Sequence, residues 1–427
     1  MEGNAHSDNT TRRQFLKTVG GAAAGLLAAG LSHRPTTAQA ERRIIGANDR
    51  IYVGHIGVGG MGSAHLHSLK NQSEELNIQS IAVCDVWEKR RKKAQEALGL
   101  PDYLAFRDYR QLLDYKDIDV VVIASPEHWH AQMAIDAMEA GKDIYLEKPM
   151  TRYLEEGLKV YRTAQRTHRI VQVGSQGCTD QKWWMAGEMV KAGKIGKVIW
   201  CQGSYCRNNP DGEWNYGIDE SANPDNLDWK AWLGPAPDRP FSLERYFRWR
   251  KYWDYSGGIL TDLFPHRLHP LFIAIGGGEF PVRVACVGGN VIHKDDREVA
   301  DVTHLMADFP GGYSMIIAGT TENEQGLQDV VRGNKATLYF GGDTVELRPE
   351  RPYVDEVDAE TRKRTGPGED VGAHERNFIE CVRSRQAPNC NVELAVKVQV
   401  TVSLAERSYR ENKIMRFDPE KLEVITS

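Results

Sequence analysis

A lysine, an aspartate and a histidine are, by type and spacing, the side chains of this 427-residue chain best suited to moving a proton. Lys148 lies in Glu147-Lys148-Pro149, directly after the apolar run Ile144 to Leu146. An ammonium at a strand end can hold a substrate oxygen as its charge changes, and partial burial lowers its proton affinity towards useful acid–base values. Asp262 and His266 stand four residues apart in Asp262-Leu263-Phe264-Pro265-His266, so a helix would set them on one face. His266 can titrate near neutrality, and Asp262 could orient it or bind a substrate hydroxyl. Pro265 is awkward inside a helix, and the segment is expected to bend there. Asp262, His266 and His269 also form a rival set of metal ligands. The plainer alternatives are a surface Glu-Lys pair and a buried histidine with a structural bond.

A second set of residues suits a dinucleotide. Gly57-Val58-Gly59-Gly60-Met61-Gly62 follows the apolar run Ile51 to Ile56 and opens a helix expected over Ser63 to Leu69. Such glycines permit a tight turn and close backbone approach, and the helix N-terminus offers free N–H groups to a pyrophosphate. The next apolar run, Ile81 to Cys84, ends at Asp85, whose carboxylate could accept the ribose hydroxyls of NAD and repel the 2′-phosphate of NADP. Positioning these groups requires alternating elements: strand Val120 to Ala124, helix Ala131 to Ala140, strand Ile144 to Leu146 and helix Leu154 to Arg166. That alternation predicts an α/β fold with a doubly wound parallel sheet, in which ligands bind beyond the carboxyl ends of strands. Two such ends carry Ser125-Pro126-Glu127-His128-Trp129-His130 and Glu147-Lys148-Pro149.

Five features in order resemble the Gfo/Idh/MocA oxidoreductases, a family that includes glucose–fructose oxidoreductase and inositol dehydrogenase. They are the glycine turn, Asp85, the P-x-x-x-H of Pro126 to His130, Glu147-Lys148-Pro149, and the D-x-x-x-H of Asp262 to His266. The resemblance implies a Rossmann domain over 51–174 and a second α+β domain over 175–427, built on a large, mostly antiparallel open sheet. It implies NAD as cofactor, with Ser125, Pro126 and Gln176 among its contacts, Lys148 beside the nicotinamide and the reacting hydroxyl, and His130 and Glu147 near the cofactor ribose. It further implies His266 as general acid/base and a homo-oligomer, a dimer or tetramer assembled through the open sheet. The chain departs from the family pattern at Gly177-Cys178, where a basic residue is common, at Phe264, which replaces a glycine, and at His269, where Asp or Asn is frequent.

In the second half, strands are expected over Val282 to Val287, Val302 to Phe309, Tyr313 to Gly319 and Ala336 to Tyr339. A polar linker is expected from Pro349 to Val371, followed by helices that pack back on the body. Eight of the ten tryptophans fall between Trp183 and Trp253, among tyrosines and arginines that include Tyr205, Tyr216, Arg207 and Arg250. Aromatic faces with fixed donors suit a sugar, although most of these rings are expected to staple a loop or build an interface.

At 41% hydrophobic and 26% charged, the composition is that of a globular protein with a sizeable core, neither disordered nor a membrane bundle. A net charge of −5 provides no basic field for nucleic acid. Residues 1–40 form a separate class: Arg12 and Arg13 precede a weakly apolar stretch, Val19 to Leu31, and Ala38-Gln39-Ala40 offers a small-residue cleavage site. This segment resembles a twin-arginine export signal, which implies the corresponding machinery as a partner and a periplasmic or otherwise exported location; 41–50 then forms a linker. The seven cysteines are scattered and odd in number, and spacing leaves open pairs such as Cys201 with Cys206 or Cys381 with Cys390. The expected function is an exported NAD-dependent oxidoreductase acting on a sugar, polyol or glycoside, its cofactor retained and recycled. The alternatives are a redox-neutral NAD-dependent glycoside hydrolase, whose nearest family has a tyrosine and histidine motif not intact here, and a sugar-binding protein with structural NAD.

Overall fold

A computed structural model describes residue 46 and residues 49–425. The export signal expected over 1–40, with Arg12 and Arg13, and most of the 41–50 linker lie outside the described residues.

The first half alternates strand and helix: β1 (Ile51–Ile56), α1 (Gly60–Asn71), β2 (Ile78–Cys84), α2 (Glu88–Leu98), β3 (Ala105–Phe106), α3 (Tyr109–Leu113), β4 (Val120–Ile123), α4 (Glu127–Glu139), β5 (Asp143–Glu147), α5 (Leu154–Thr167) and β6 (Val171–Gly174). The strands form a six-stranded parallel sheet in the order β3-β2-β1-β4-β5-β6. Every residue of β4 and β5 is buried, as expected of parallel strands covered on both faces. The helix expected from Ala131 begins at Glu127, because Pro126 takes the N-cap with extended backbone. The cluster Glu127 to His130 is therefore the first turn of α4 and not a loop.

The second half contributes α6 (Gln181–Lys191), β7 (Val198–Cys206), α7 (Trp229–Leu233), α8 (Leu243–Phe247), a π-helical turn (Ile259–Leu263), α9 (Pro265–Ala274), β8 (Arg283–Gly289), β9 (Val302–Asp308), β10 (Ser314–Thr320), β11 (Val330–Gly333), β12 (Ala336–Phe340), β13 (Thr344–Pro349), β14 (Glu360–Lys363), α10 (Val371–Ser384), α11 (Val392–Glu411), β15 (Met415–Asp418) and β16 (Glu423–Ile425). Ten strands form one sheet, β14-β13-β12-β11-β7-β10-β9-β8-β15-β16, antiparallel except where β10 runs parallel to β7. Two expectations are corrected here. The linker from Pro349 to Val371 contributes an edge strand, β14, pairing Arg362 with Val345. Pro265 does not bend a helix from within: it occupies the first turn of α9, where its missing N–H costs nothing, and the proline inside that helix is Pro270.

The C-terminal helices return to the first sheet. On α10, Phe378, Ile379 and Val382 share a core with Ile51, Val53, Val120 and Val122, and each such side chain contributes about 1.5–3 kcal/mol on full burial. Asn391 caps α11 by accepting from the amides of Glu393 and Leu394 at 3.1 and 3.0 Å. All seven cysteines are free thiols; Cys201 and Cys206 share β7 at odd spacing, which turns them to opposite faces.

Candidate active site

The carboxyl ends of β1, β2, β4 and β5 open into a cavity of about 1060 Å³ that extends to the π-turn and α9. Its nucleotide end is shaped by backbone. Gly57 has φ +79°, and a Cβ there would stand 2.9 Å from the Ala124 carbonyl; a Cβ on Gly62 would meet the Gly57 oxygen at 1.8 Å. Gly57, Gly59, Gly60 and Met61 line the cavity, whereas Gly62 lies behind them as the packing contact between α1 and the turn. Asp85 also lines it, nearly buried, accepting from Val58 N at 3.0 Å and Trp87 N at 2.9 Å. Two backbone donors leave a carboxylate with acceptor sites to spare for hydroxyls. Ser125 lines the same space, and its Oγ is buried without a partner. A glycine cradle, a ribose-directed carboxylate and an orphan hydroxyl together fit a dinucleotide.

Lys148 stands where the two ends of the cavity meet, its side chain 12% exposed. Its Nζ donates to Asp262 Oδ1 at 2.7 Å and to the Asp262 backbone oxygen at 2.8 Å, leaving one of three donors for a ligand. Arg250 Nε donates to the same Oδ1 at 2.9 Å. Burial opposes the charge of Asp262, but Arg250 and Lys148 hold its carboxyl well below the usual carboxylate range. Asp262 therefore binds two cations. It does not orient His266, which corrects one of the roles expected for it.

His266 lines the opposite wall, stacked on Tyr205 with ring centroids 5.1 Å apart. Its Nδ1 is buried without a hydrogen-bond partner; Glu369 Oε1 comes only to 3.8 Å, too far to accept its proton. Burial, reinforced by Lys148, pushes His266 well below the ordinary imidazole range. The ring is neutral at neutral pH and can accept a proton. Arg207 and Tyr216 also line the cavity, as do Trp249 and Trp232, the latter packed on Tyr246. Of the eight clustered tryptophans only Trp232 and Trp249 reach the cavity, while Trp183 and Trp214 are buried.

Of the other residues expected at the site, Glu147 and Gln176 line the cavity and His130 lies beneath it. His130 does not reach the cavity wall: Nδ1 meets Pro149 O at 2.7 Å and Nε2 meets Ser125 O at 2.8 Å, so the ring ties the ends of β4 and β5 together. Glu147 lines the cavity, as does Gln176, but its Oε1 meets His65 Nε2 at 2.8 Å and its Oε2 accepts from Lys148 N at 3.1 Å. His65 reaches Glu375 Oε1 through Nδ1 at 2.7 Å. Burial works against the charged ring, yet hydrogen bonds to Glu147 and Glu375 raise His65 to about 9. The metal reading fails on geometry: His269 is buried outside the cavity lining, and no three His, Cys, Asp or Glu side chains among the described residues gather to hold a cation.

His65, Glu375 and Arg90 carry no sequence expectation, and Arg250, expected only as a donor to a sugar, is found holding Asp262. The signal for His65 was present, a polar residue on the buried face of α1 with Leu66 and Leu69. Arg90 lies over the rings of Trp87, Tyr246 and Phe247 at 5.3, 5.1 and 5.7 Å and donates to Tyr246 Oη at 3.1 Å. Trp87 follows β2, and Tyr246 and Phe247 come from α8, so the second half of the chain packs against the first beside Asp85. Backbone bonds from Glu88 N to Asn226 O at 2.9 Å and from Asp228 N to Val86 O at 3.1 Å fasten that contact.

Comparison with known proteins agrees with this geometry. A profile described as the oxidoreductase family with an NAD-binding Rossmann fold matches residues 51–175, and that family's C-terminal alpha/beta domain matches 212–427. A glycosyl hydrolase family 109 protein of Shewanella baltica is 30% identical over 217 residues, 46% of either chain, and an alpha-N-acetylgalactosaminidase of Shewanella oneidensis is 29% identical over the same span. The match thus spans about half the length of these curated relatives. Among solved structures, a levoglucosan dehydrogenase in complex with NADH and L-sorbose has a TM-score of 0.67 at 20% identity, covering 86% of this chain and 99% of that one. An aldose-aldose oxidoreductase from Caulobacter crescentus, complexed with glycerol, has 0.65 at 16% identity, covering 86% and 100%. At such identities the likeness is one of fold. With both domain profiles matched in order along one chain, and the glycine cradle, Asp85 and Lys148 facing one cavity, the protein belongs to the NAD-binding Gfo/Idh/MocA oxidoreductases.

Proposed function

We propose that this chain is an exported oxidoreductase acting on a hydroxyl of a sugar, polyol or glycoside, with a nucleotide domain over 51–174, a substrate domain over 175–427, and NAD retained between turnovers. The observation that carries the reading is the single free donor of Lys148, set between the dinucleotide cradle and the His266 wall of the same cavity. Bound NAD would supply the redox chemistry by taking hydrogen from the substrate carbon. Lys148 donates to the substrate oxygen, and Asp262 keeps that ammonium aimed. Neutral His266 accepts the hydroxyl proton through its imidazole. Arg207, Tyr216 and Trp249 offer the donors and ring faces that fix a polyhydroxylated ring so that the reacting atoms stay in line. The names of the structural neighbours, which include sugar dehydrogenases, support this substrate class.

The names of the curated relatives favour a second reading, redox-neutral glycoside cleavage. Oxidation of a ring hydroxyl would acidify the adjacent C–H, the aglycone would leave by elimination, water would add, and reduction would restore the alcohol. A third reading, a sugar-binding protein with structural NAD, has less support because Lys148, Asp262 and His266 are all in place. Mass analysis of products from a panel of free sugars and glycosides separates the three: a ketone, a cleaved glycoside, or no change.

Val287 and Met306 are 66% and 50% exposed on the ten-stranded sheet, and this face is proposed to assemble a dimer or tetramer, testable by sedimentation. The twin-arginine machinery is the proposed export route. Fractionation of a chain with Arg12 and Arg13 changed to Lys tests it: precursor trapped in the cytoplasm supports the route, and normal export removes it.

A further inference from the structure

Glu127 is wholly buried in the first turn of α4, one residue beyond Pro126 of the cavity wall, and is not itself part of that wall. Its partners come from the other half of the chain. Ser256 Oγ donates to Oε1 at 2.5 Å and Thr261 Oγ1 donates to Oε2 at 2.7 Å. Each hydroxyl oxygen then accepts a backbone amide: Thr261 Oγ1 from Gly257 N at 2.8 Å, and Ser256 Oγ from Gly258 N at 3.1 Å. One carboxylate thus organises the amides that lead into the π-turn Ile259–Leu263.

That turn carries Asp262, the residue after Thr261. Gly258 has φ +60°, and its carbonyl accepts Asp262 N at 2.8 Å, so the backbone that Glu127 holds through the two hydroxyls is bonded directly to Asp262. Space around it is short: a Cβ on Gly257 would meet Thr261 Cγ2 at 2.5 Å, and one on Gly258 would meet the Val299 side chain at 2.6 Å. An ionised carboxylate only accepts, so both hydroxyls must donate to it and keep their lone pairs for the glycine amides. An amide at the same place would leave one hydroxyl proton without an acceptor.

We propose that Glu127 is a positioning residue: acting through Ser256 and Thr261, it fixes the turn that presents Asp262, and with it Lys148, to the reacting oxygen. This rests on the reading of Lys148 as the group that holds that oxygen. The charged groups facing Glu127 are Arg152, which is paired with Glu406, and Asp262. Burial raises Glu127 to about 7 against the pull of Arg152, so the array is fully formed only above neutrality.

The test is trace acetylation of Lys148 by acetic anhydride at pH 8, in the full chain with NADH bound, quantified on the Lys148 peptide. Asp262→Asn, which removes the carboxylate and keeps the carbonyl contact, sets the reference for a lysine without its counter-charge and should label fastest. Glu127→Gln and Thr261→Val should each label about 3–10-fold faster than the parent, as when a charge-assisted hydrogen bond is weakened but not lost. Thr261→Ser, which keeps the hydroxyl, should stay within about twofold, and if Glu127→Gln does not fold, the Val and Ser pair decides alone. A loss of melting temperature without a change in labelling would make Glu127 a packing group only and overturn the proposal. If Asp262→Asn itself labels at the parent rate, the Lys148–Asp262 reading fails first, and this inference falls with it.

Discussion

Lys148 and Asp262 meet twice across 114 residues of sequence, the ammonium donating at 2.7 Å to the carboxylate and at 2.8 Å to the same residue's carbonyl. The carbonyl contact means that the backbone of the π-turn, and not only a rotatable side chain, sets the position of the ammonium. Loss of the carboxylate should therefore disturb charge more than place. Asp262→Asn should lower turnover by about 10²-fold, and Lys148→Met by about 10²–10⁴-fold, with NADH affinity by fluorescence and the melting temperature nearly unchanged. Two fully active variants would remove both residues from the chemistry.

His266 gives a prediction in pH. Burial holds the ring well below the ordinary imidazole range, so it is ready to accept a proton at pH 6 as well as at pH 8. Turnover should show no loss between pH 8 and 6 attributable to an imidazole near 6.5, whereas His266→Ala should cut it by about 10²–10⁴ at every pH in that range. A profile falling through 6.5 in the parent and flat in the variant would contradict the neutral assignment.

The glycine turn, Asp85, Lys148 and Asp262 were legible in the sequence because each belongs to a short contiguous pattern at a strand end or helix start. Their partners were not. Arg250 reaches Asp262 from the 3-10 turn Trp249–Lys251, and His65 joins α1 to Glu147 on β5 and Glu375 on α10. Periodicity reports that a position is buried but not which distant group meets it there. The same limit misassigned His130, whose motif position suggested a ribose contact while its two carbonyl partners make it a tie between strands. The strand β14 escaped because charged, alternating Glu360 to Lys363 reads as solvated linker, which an edge strand also is.

The His65 network predicts how stability varies with pH. With both carboxylates as partners, the imidazole is raised from about 6.5 to about 9 in the folded chain. The folded state then binds more protons than the unfolded state between those values, so its stabilisation is complete below about 6.5 and is lost as pH rises through about 9. Glu127, raised to about 7, titrates largely below this window. Thermal melting should fall between pH 7 and 9.5. His65→Gln should flatten that dependence and cost about 3–5 kcal/mol at pH 6, because it strands two buried carboxylates. A parent melting temperature that does not change across the window would refute the charged assignment.

Asp85 should show two separable effects. Its carboxylate holds the amides of Val58 and Trp87 as well as facing the cavity. Asp85→Ala should weaken NAD binding by about 1.5–3 kcal/mol, reduce discrimination against NADP, and lower stability through the two orphaned amides. Calorimetry giving unchanged affinity for both nucleotides would mean that Asp85 serves the turn alone.

The ring cluster beside Asp85 bears on how fast NAD leaves. Trp87 packs edge-on against Phe247 and Tyr246, with ring centroids 5.5 and 6.1 Å apart, and Arg90 lies across all three rings. Tyr246, Phe247 and Arg90 line the cavity beside the cradle, and the cluster joins the two halves of the chain there. On the proposed export route the enzyme would meet little free NAD, and slow release would let cofactor captured before folded export serve many turnovers. Purified protein should carry nucleotide through desalting and act on substrate without added NAD. Changing Phe247 and Trp87 together to Ala should speed NADH release at least about tenfold in a fluorescence chase, a loss of about 1.4 kcal/mol of holding energy. Release already fast in the parent, with activity only on external NAD and NADH accumulating one for one with product, would leave an ordinary dehydrogenase with an exchangeable cofactor.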